Sequence, residues 1–164
     1  MKVLIACEFS GTVREAFKAK GHDAWSCDIL AADDDGKHIQ DDVLNHLDKK
    51  WDLMIAHPPC TYLSNAGARH LYPKGKLNAA RYELGLVAKN FFLNLFNANI
   101  KKIAIENPIS SKIFELPKYS QIIQPYEHGH QVSKKTCLWL KNLPLLIPSN
   151  MVEKKQNCHG AKGS

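Results

Sequence analysis

The most reactive feature of this 164-residue chain is a thiol that directly follows two prolines, Cys60 after Pro58 and Pro59. Consecutive prolines cannot continue a strand ladder, so the chain must turn there and project the next side chain out of the sheet. A free cysteine is ordinarily a small buried hydrophobe, which suits Cys7, Cys27 and Cys137 and suits Cys60 poorly. Glu106 follows the apolar run Ile103, Ala104 and Ile105, where a carboxylate is costly to bury unless protonated or specifically bonded. A thiol and a carboxyl group presented at two such strand ends suit a nucleophile and a proton handler. Glu8, Phe9, Ser10 and Gly11 form a tight turn before a helix, whose backbone N–H groups could receive a ligand carboxylate or hydroxyl, although a full GxGxxG is absent. Asp28, roughly 20 residues further on, is placed either to bind ribose hydroxyls or to cap its own strand.

The elements that must position these groups alternate between strand and helix. Residues 2–7 are a buried apolar run that stops at Glu8, and Val13, Ala16, Phe17 and Lys20 keep helical spacing until Gly21. Residues 22–27 are a second strand, followed by an aspartate-rich solvated loop at 31–37 and a short helical segment at 44–47. Residues 52–56 are the strand that runs into His57 and the two prolines. Residues 65–76, rich in Gly, Lys and Asn, predict a mobile loop. Leu84, Val87, Ala88, Phe91, Phe92 and Leu95 predict a long helix over 77–98. Residues 102–105 form another strand, ended by a polar turn at 106–108. Beyond a turn at 128–131, residues 136–140 are the last convincing strand, with a loosely ordered tail from residue 152. This alternation predicts an α/β fold, a parallel sheet flanked by helices on both faces, with ligands bound at the carboxyl ends of the strands.

With 45% hydrophobic and 23% charged residues, residues 1–164 fit one compact domain carrying one site. A net charge of +6 favours a polyanionic partner, as it does for many basic proteins that bind no nucleic acid. The five cysteines are odd in number and contain no CxxC, which favours a reduced intracellular setting. The eight histidines and the pair Cys158-His159 lack ligand spacing, so no metal is expected. No apolar run reaches the roughly 18 residues of a membrane span, and no signal peptide precedes the first strand, so a soluble cytoplasmic protein without membrane contact is expected.

Residues 58–69, PPCTYLSNAGAR, resemble the catalytic motif of DNA cytosine-5 methyltransferases, with Pro58, Pro59, Cys60, Ser64, Ala66, Gly67 and Arg69 at matching positions. IENP at 105–108 resembles that family's Glu-Asn motif, Asp42-Val43 its adenine-side acidic motif, and HGHQVSKKT at 128–136 its late basic motif. The resemblance covers roughly residues 1–140 and is nearest to small phage-type members. It implies a Rossmann-like class I fold, S-adenosylmethionine as cofactor, and DNA as substrate, either duplex with a flipped cytosine or single-stranded. Cys60 would add to cytosine C6 and Glu106 would hold N3 and the 4-amino group. Lys134 and Lys135 stand where the family places arginines, although a lysine pair is equally an ordinary solvated surface. Glu8, Phe9, Ser10, Gly11, Asp28, Ile29, Asp42, Val43 and Pro58 would bind the cofactor, and Ser64, Asn65, Arg69 and Asn107 the nucleic acid.

The chain departs from the family pattern at Glu8, which replaces a glycine, Ala6, which replaces a phenylalanine, His57, which replaces a small residue, and Pro108, which replaces a branched one. The segment after Thr136 is too short for a target-recognition region, which implies a piece of a longer chain, minimal specificity, a protein partner that supplies it, or a substrate smaller than DNA. Two rival functions fit these departures: a non-catalytic S-adenosylmethionine- or DNA-binding module, and a methyltransferase acting on free cytosine nucleotides.

Overall fold

Strand β1 (Lys2–Ala6) is apolar from Val3 onward because it is covered on both sides, with Val3 and Ile5 in one buried layer and Leu4 and Ala6 in the other. The computed structural model describes residues 1–157; Cys158 and His159 lie outside them. From β1 the chain passes through α1 (Thr12–Ala19), β2 (Asp23–Asp28), β3 (His38–Gln40), β4 (Leu53–Ala56), α2 (Asn65–Ala68), α3 (Ala79–Phe96) and β5 (Lys102–Pro108). It ends with β6 (Gln121–Ile123), β7 (Val132–Ser133), β8 (Thr136–Lys141) and β9 (Gln156–Asn157).

Seven strands form one sheet in the order β3-β2-β1-β4-β5-β8-β6. The first five run parallel, and β8 inserts antiparallel to both β5 and β6. The strand order reverses at β1 and β4, so the crevice between their carboxyl ends is the place where an open sheet of this kind receives a ligand. On one face α3 packs Phe92 and Leu95 over Leu4, Met54, Ile103 and Ile105. There Phe92 meets Trp139 of β8 edge to face, with ring centroids 4.9 Å apart. On the other face α1 covers Val3, Ile5, Ala24 and Leu53 with Val13 and Phe17.

Several boundaries differ from those the sequence predicts. β5 continues through Glu106, Asn107 and Pro108, because β8 pairs with it as far as Thr136 opposite Pro108. β3 and β6 are three-residue strands, each too short to read as a strand from its apolar residues alone. The segment at 44–47 is a 3-10 turn, Val43–His46, capped by the Asp42 side chain, which accepts from the Leu44 amide. Within the expected loose tail, Gln156–Asn157 pairs parallel to β7.

The aspartate-rich segment 31–37 is anchored rather than free. Arg14 of α1 is fully buried, bonded to Ser26 Oγ at 2.8 Å and to both carboxylate oxygens of Asp34. His38 Nδ1 shares the same Ser26 hydroxyl at 2.8 Å, and its Nε2 meets the Leu30 carbonyl at 2.9 Å. The Gly36 amide and the Arg14 guanidinium hold the Asp34 carboxyl below its ordinary value. Arg14→Met removes the charge-assisted bonds that tether this loop and is expected to cost about 2 kcal/mol. The checks are a lowered urea midpoint and faster amide exchange across 31–37; an unchanged midpoint contradicts the tether.

Candidate active site

β4 and β5 deliver their last residues side by side. Ala56 pairs with Ile105, so His57 and Glu106 emerge next to each other, His57 still tied by its N–H to the Ala6 carbonyl at 3.0 Å. Their side chains meet with Nδ1 3.5 Å from Oε2, and each is about 30% exposed. One residue on, the buried Asn107 donates from Nδ2 to the Pro58 carbonyl at 3.0 Å. Asn107, expected to face nucleic acid, is a fully buried brace that fixes the proline turn. Pro59 is exposed and Cys60 half-buried immediately after that turn.

The Cys60 segment is folded onto its surroundings, and the stretch 65–76 expected as a loop carries α2 and a 3-10 turn at Pro73–Gly75. The Cys60 carbonyl accepts from the Leu63 and Ser64 amides at 3.2 and 3.0 Å. Ser64 is buried as the N-cap of α2, accepting from the Gly67 amide at 3.2 Å. The Asn65 amide donates to the Ile109 carbonyl at 3.0 Å and the Ser111 amide to the Leu63 carbonyl at 2.7 Å, which joins this segment to the chain leaving β5. Arg81, in the first turn of α3, donates to the Thr61 and Gly67 carbonyls at 3.1 and 3.2 Å and lies over the Tyr62 ring at 4.9 Å. A Cβ on Gly67 would stand 2.1 Å from the Thr61 oxygen, so only glycine closes this turn. Arg69 is exposed, with Nε bonded to His70 Nε2 at 2.9 Å, and lines a polar cleft with Thr61, Ser64 and Arg81. Asn65 is exposed nearby.

A cavity of about 580 Å³ opens beside Pro59 at the carboxyl ends of β1, β2 and β4. One wall of it is the apolar face of α3. Along that face Leu84, Val87, Ala88 and Phe91 line the cavity, while Leu95 on the same stripe is core. Phe9, Ile29, Val43 and Tyr62 complete the apolar wall, and Asp28 and Asp42 bring carboxylates to it. Both aspartates also cap: Asp28 Oδ1 accepts from the Leu30 amide at 3.0 Å and Asp42 Oδ1 from the Leu44 amide at 2.9 Å. Pro59 lines the cavity in place of the expected Pro58, which is buried with its carbonyl taken by Asn107.

The turn after β1 serves α1. Glu8 is buried, and its carboxylate accepts from the Val13 amide at 2.6 Å and the Arg14 amide at 3.2 Å, which fills the helix N-terminus that the sequence leaves open to a ligand. Gly11 has φ 71 and a Cβ there would strike the Arg14 guanidinium, so it shapes the helix start and does not line the cavity. Ser10 and Glu8 line a smaller neighbouring cleft with His57 and Phe9. Lys134 and Lys135 are exposed just before β8, at the same end of the sheet as Glu106.

Four cysteines lie among the described residues, and their environments differ. Burial, with Asp28 nearby, pushes the Cys7 thiol up to about 12, and burial pushes Cys27 up to about 11. Cys137 is raised by burial and then by the Glu106 charge. Because the thiolate is the reactive species, iodoacetamide at pH 8 on a Cys158→Ser background should modify Cys60 at least about tenfold faster than the other three. Equal labelling of Cys7 would contradict this assignment.

The seven-stranded sheet, its one antiparallel insertion and its flanking helices make this an open, Rossmann-like α/β fold. Among solved structures the chain is similar to a candidate DNA modification methyltransferase encoded within an E. coli prophage, with a TM-score of 0.51 and 12% identity. That similarity covers 93% of this chain and 52% of the other, so the chain spans about half the length of that protein. No family model and no curated protein sequence matches the chain. No helix among the described residues is long and apolar enough to cross a membrane.

The α3 wall, the Glu8 cap, the Arg81 clamp and the His57–Glu106 contact were missed in the sequence. Only the first left a signal there: an apolar stripe that runs along α3 from Leu84 to Leu95 without marking which part of it is core.

Proposed function

We propose that this chain transfers a methyl group from S-adenosylmethionine to C5 of cytosine in DNA, with Cys60 as nucleophile. The observation that carries this reading is the cavity at the reversal of strand order, with Asp28 and Asp42 on its wall and Pro59, the residue before Cys60, on its rim. A cavity of about 580 Å³ is within the roughly 300–1,000 Å³ range of small-ligand sites. The residues fit a nucleoside sulfonium: Asp28 suits ribose hydroxyls, Asp42 the adenine amino group, and Phe9, Ile29 and Val43 the purine faces. Glu8 occupies the α1 amides, so the amino-acid end of the cofactor is held elsewhere than at that helix N-terminus. When bound, S-adenosylmethionine supplies an electrophilic methyl group.

Cytosine C5 is too weak a nucleophile to accept that methyl unaided. Cys60 answers this by adding its thiolate at C6, which pushes electron density toward C5 and N3. Glu106 donates a proton to N3 and accepts from the 4-amino group as that density develops. Once C5 carries the methyl group, its proton passes to water and the C–H electron pair re-forms the C5=C6 bond, which expels the Cys60 thiolate and restores the ring. Lys134, Lys135 and Arg69 are exposed at the same end of the molecule, where they suit phosphate groups. Ser64 and Asn107 support the reacting groups from within.

Labelled S-adenosylmethionine offered with duplex DNA, single-stranded DNA and cytosine nucleotides tests this, alongside DNA containing 5-fluorocytosine. Label in DNA and a covalent adduct mapped to Cys60 are the expected results. Label only in nucleotides transfers the reading to a smaller substrate. Cofactor binding without transfer to any acceptor leaves a binding module and ends the enzyme assignment.

A further inference from the structure

We propose that His57 is a positioning residue that decides which oxygen of Glu106 carries the proton offered to the base, an inference that rests on the cytosine reading above. The parallel register of β4 and β5 places the two residues side by side, and the contact is made by His57 Nδ1 and Glu106 Oε2, 3.5 Å apart. His57 Nε2 is buried and has no hydrogen-bond partner among the described residues. A buried N–H without an acceptor is costly, so the neutral ring keeps its single proton on Nδ1, facing Glu106. Across the cleft the ring faces Glu8 and Ser10 of the β1 turn, but the Glu8 oxygens are engaged by the Val13 and Arg14 amides. Glu106 is therefore the acidic group left for the ring.

A carboxylic acid has two oxygens, and a donor at Oε2 obliges the acid proton to sit on Oε1. Oε1 is then the O–H presented to the ring nitrogen of the base. As the Cys60 Sγ–C6 bond forms, the C5=C6 electron pair moves into the ring, N3 takes the proton from Oε1, and the electron pair of that O–H bond stays on Glu106. The new carboxylate is stabilised by the Nδ1–H already facing it, a contact that shortens as the site fills. Elimination of the thiolate returns the N3 proton to Oε1, so His57 neither gains nor loses a proton over the cycle.

Two measurements test this, and the first needs neither cofactor nor DNA. Nitrogen-15 NMR of the imidazole should show neutral His57 protonated at Nδ1, with the Nδ1 resonance shifting in Glu106→Ala as that nitrogen loses its acceptor. A ring protonated at Nε2 in the wild type, or an Nδ1 resonance unmoved by Glu106→Ala, overturns the proposal. In single-turnover methyl transfer, His57→Ala should lower the rate about 10- to 100-fold with DNA affinity within twofold. His57→Asn, which keeps a donor close to the Nδ1 position, should recover most of that loss. Wild-type rates in His57→Ala, or failure of the asparagine to rescue, also overturn it. If the wild-type protein methylates nothing, the cytosine reading fails on that result alone, while the NMR measurement still decides whether His57 sets the Glu106 proton.

Discussion

Replacing Cys60 by serine is expected to abolish methyl transfer, by about ten-thousandfold or more, while leaving S-adenosylmethionine affinity within twofold. The size of the effect comes from the chemistry of the two nucleophiles. A thiolate forms readily near neutral pH and adds to an electron-poor ring carbon, whereas a serine hydroxyl stays protonated there. The affinity should hold because the cavity meets this segment through Pro59 and Tyr62, and the turn is fixed by backbone bonds and by Asn107, which a serine leaves in place. Rapid-quench transfer of a labelled methyl group gives the rate, and equilibrium binding gives the affinity. Turnover within tenfold of wild type would remove the covalent step.

Glu106→Gln is the second large effect, a loss of about 10²- to 10³-fold in the single-turnover rate. Glutamine keeps the length of the side chain and can still meet the 4-amino group through its carbonyl oxygen, but it has no acid proton for N3. The loss should appear equally in methyl transfer and in formation of the 5-fluorocytosine adduct, because both require Cys60 to add first. If the adduct forms at the wild-type rate while transfer collapses, Glu106 acts after addition and its role as proton donor to N3 is wrong.

The parts of the fold legible in the sequence are those whose signal is local. β1 reads as a strand because a segment buried on both faces is a continuous apolar run, and α1 reads as a helix because Val13, Ala16 and Phe17 recur at its period. Asp28, Asp42 and the proline turn stand at strand ends, and the structure brings the two aspartates and Pro59 to one cavity. What the sequence conceals depends on distant partners. Asn107 reads as part of a polar turn because its one partner, the Pro58 carbonyl, lies 49 residues away. Glu8 reads as a ligand-facing group because a carboxylate that caps its own helix looks the same in sequence as one that meets a cofactor. Arg14 gives no hint that it is the buried anchor of 31–37, since an arginine in an amphipathic helix is ordinarily solvated. The α3 stripe is recognisable as apolar, but only its tertiary packing tells which half is core and which half is wall.

The bonds that join residues 63–65 to residues 109–111, together with the Asn107 brace, weld the thiol segment and the carboxylate strand into one mechanical part. Neither can swing out alone. On the proposed reading, an arriving base therefore meets a fixed mould rather than a closing jaw, and the work of bringing reactants together falls on the nucleic acid, which must leave its stack and enter. Chain flexibility in the acceptor, more than motion in the protein, then sets how quickly the mould is filled.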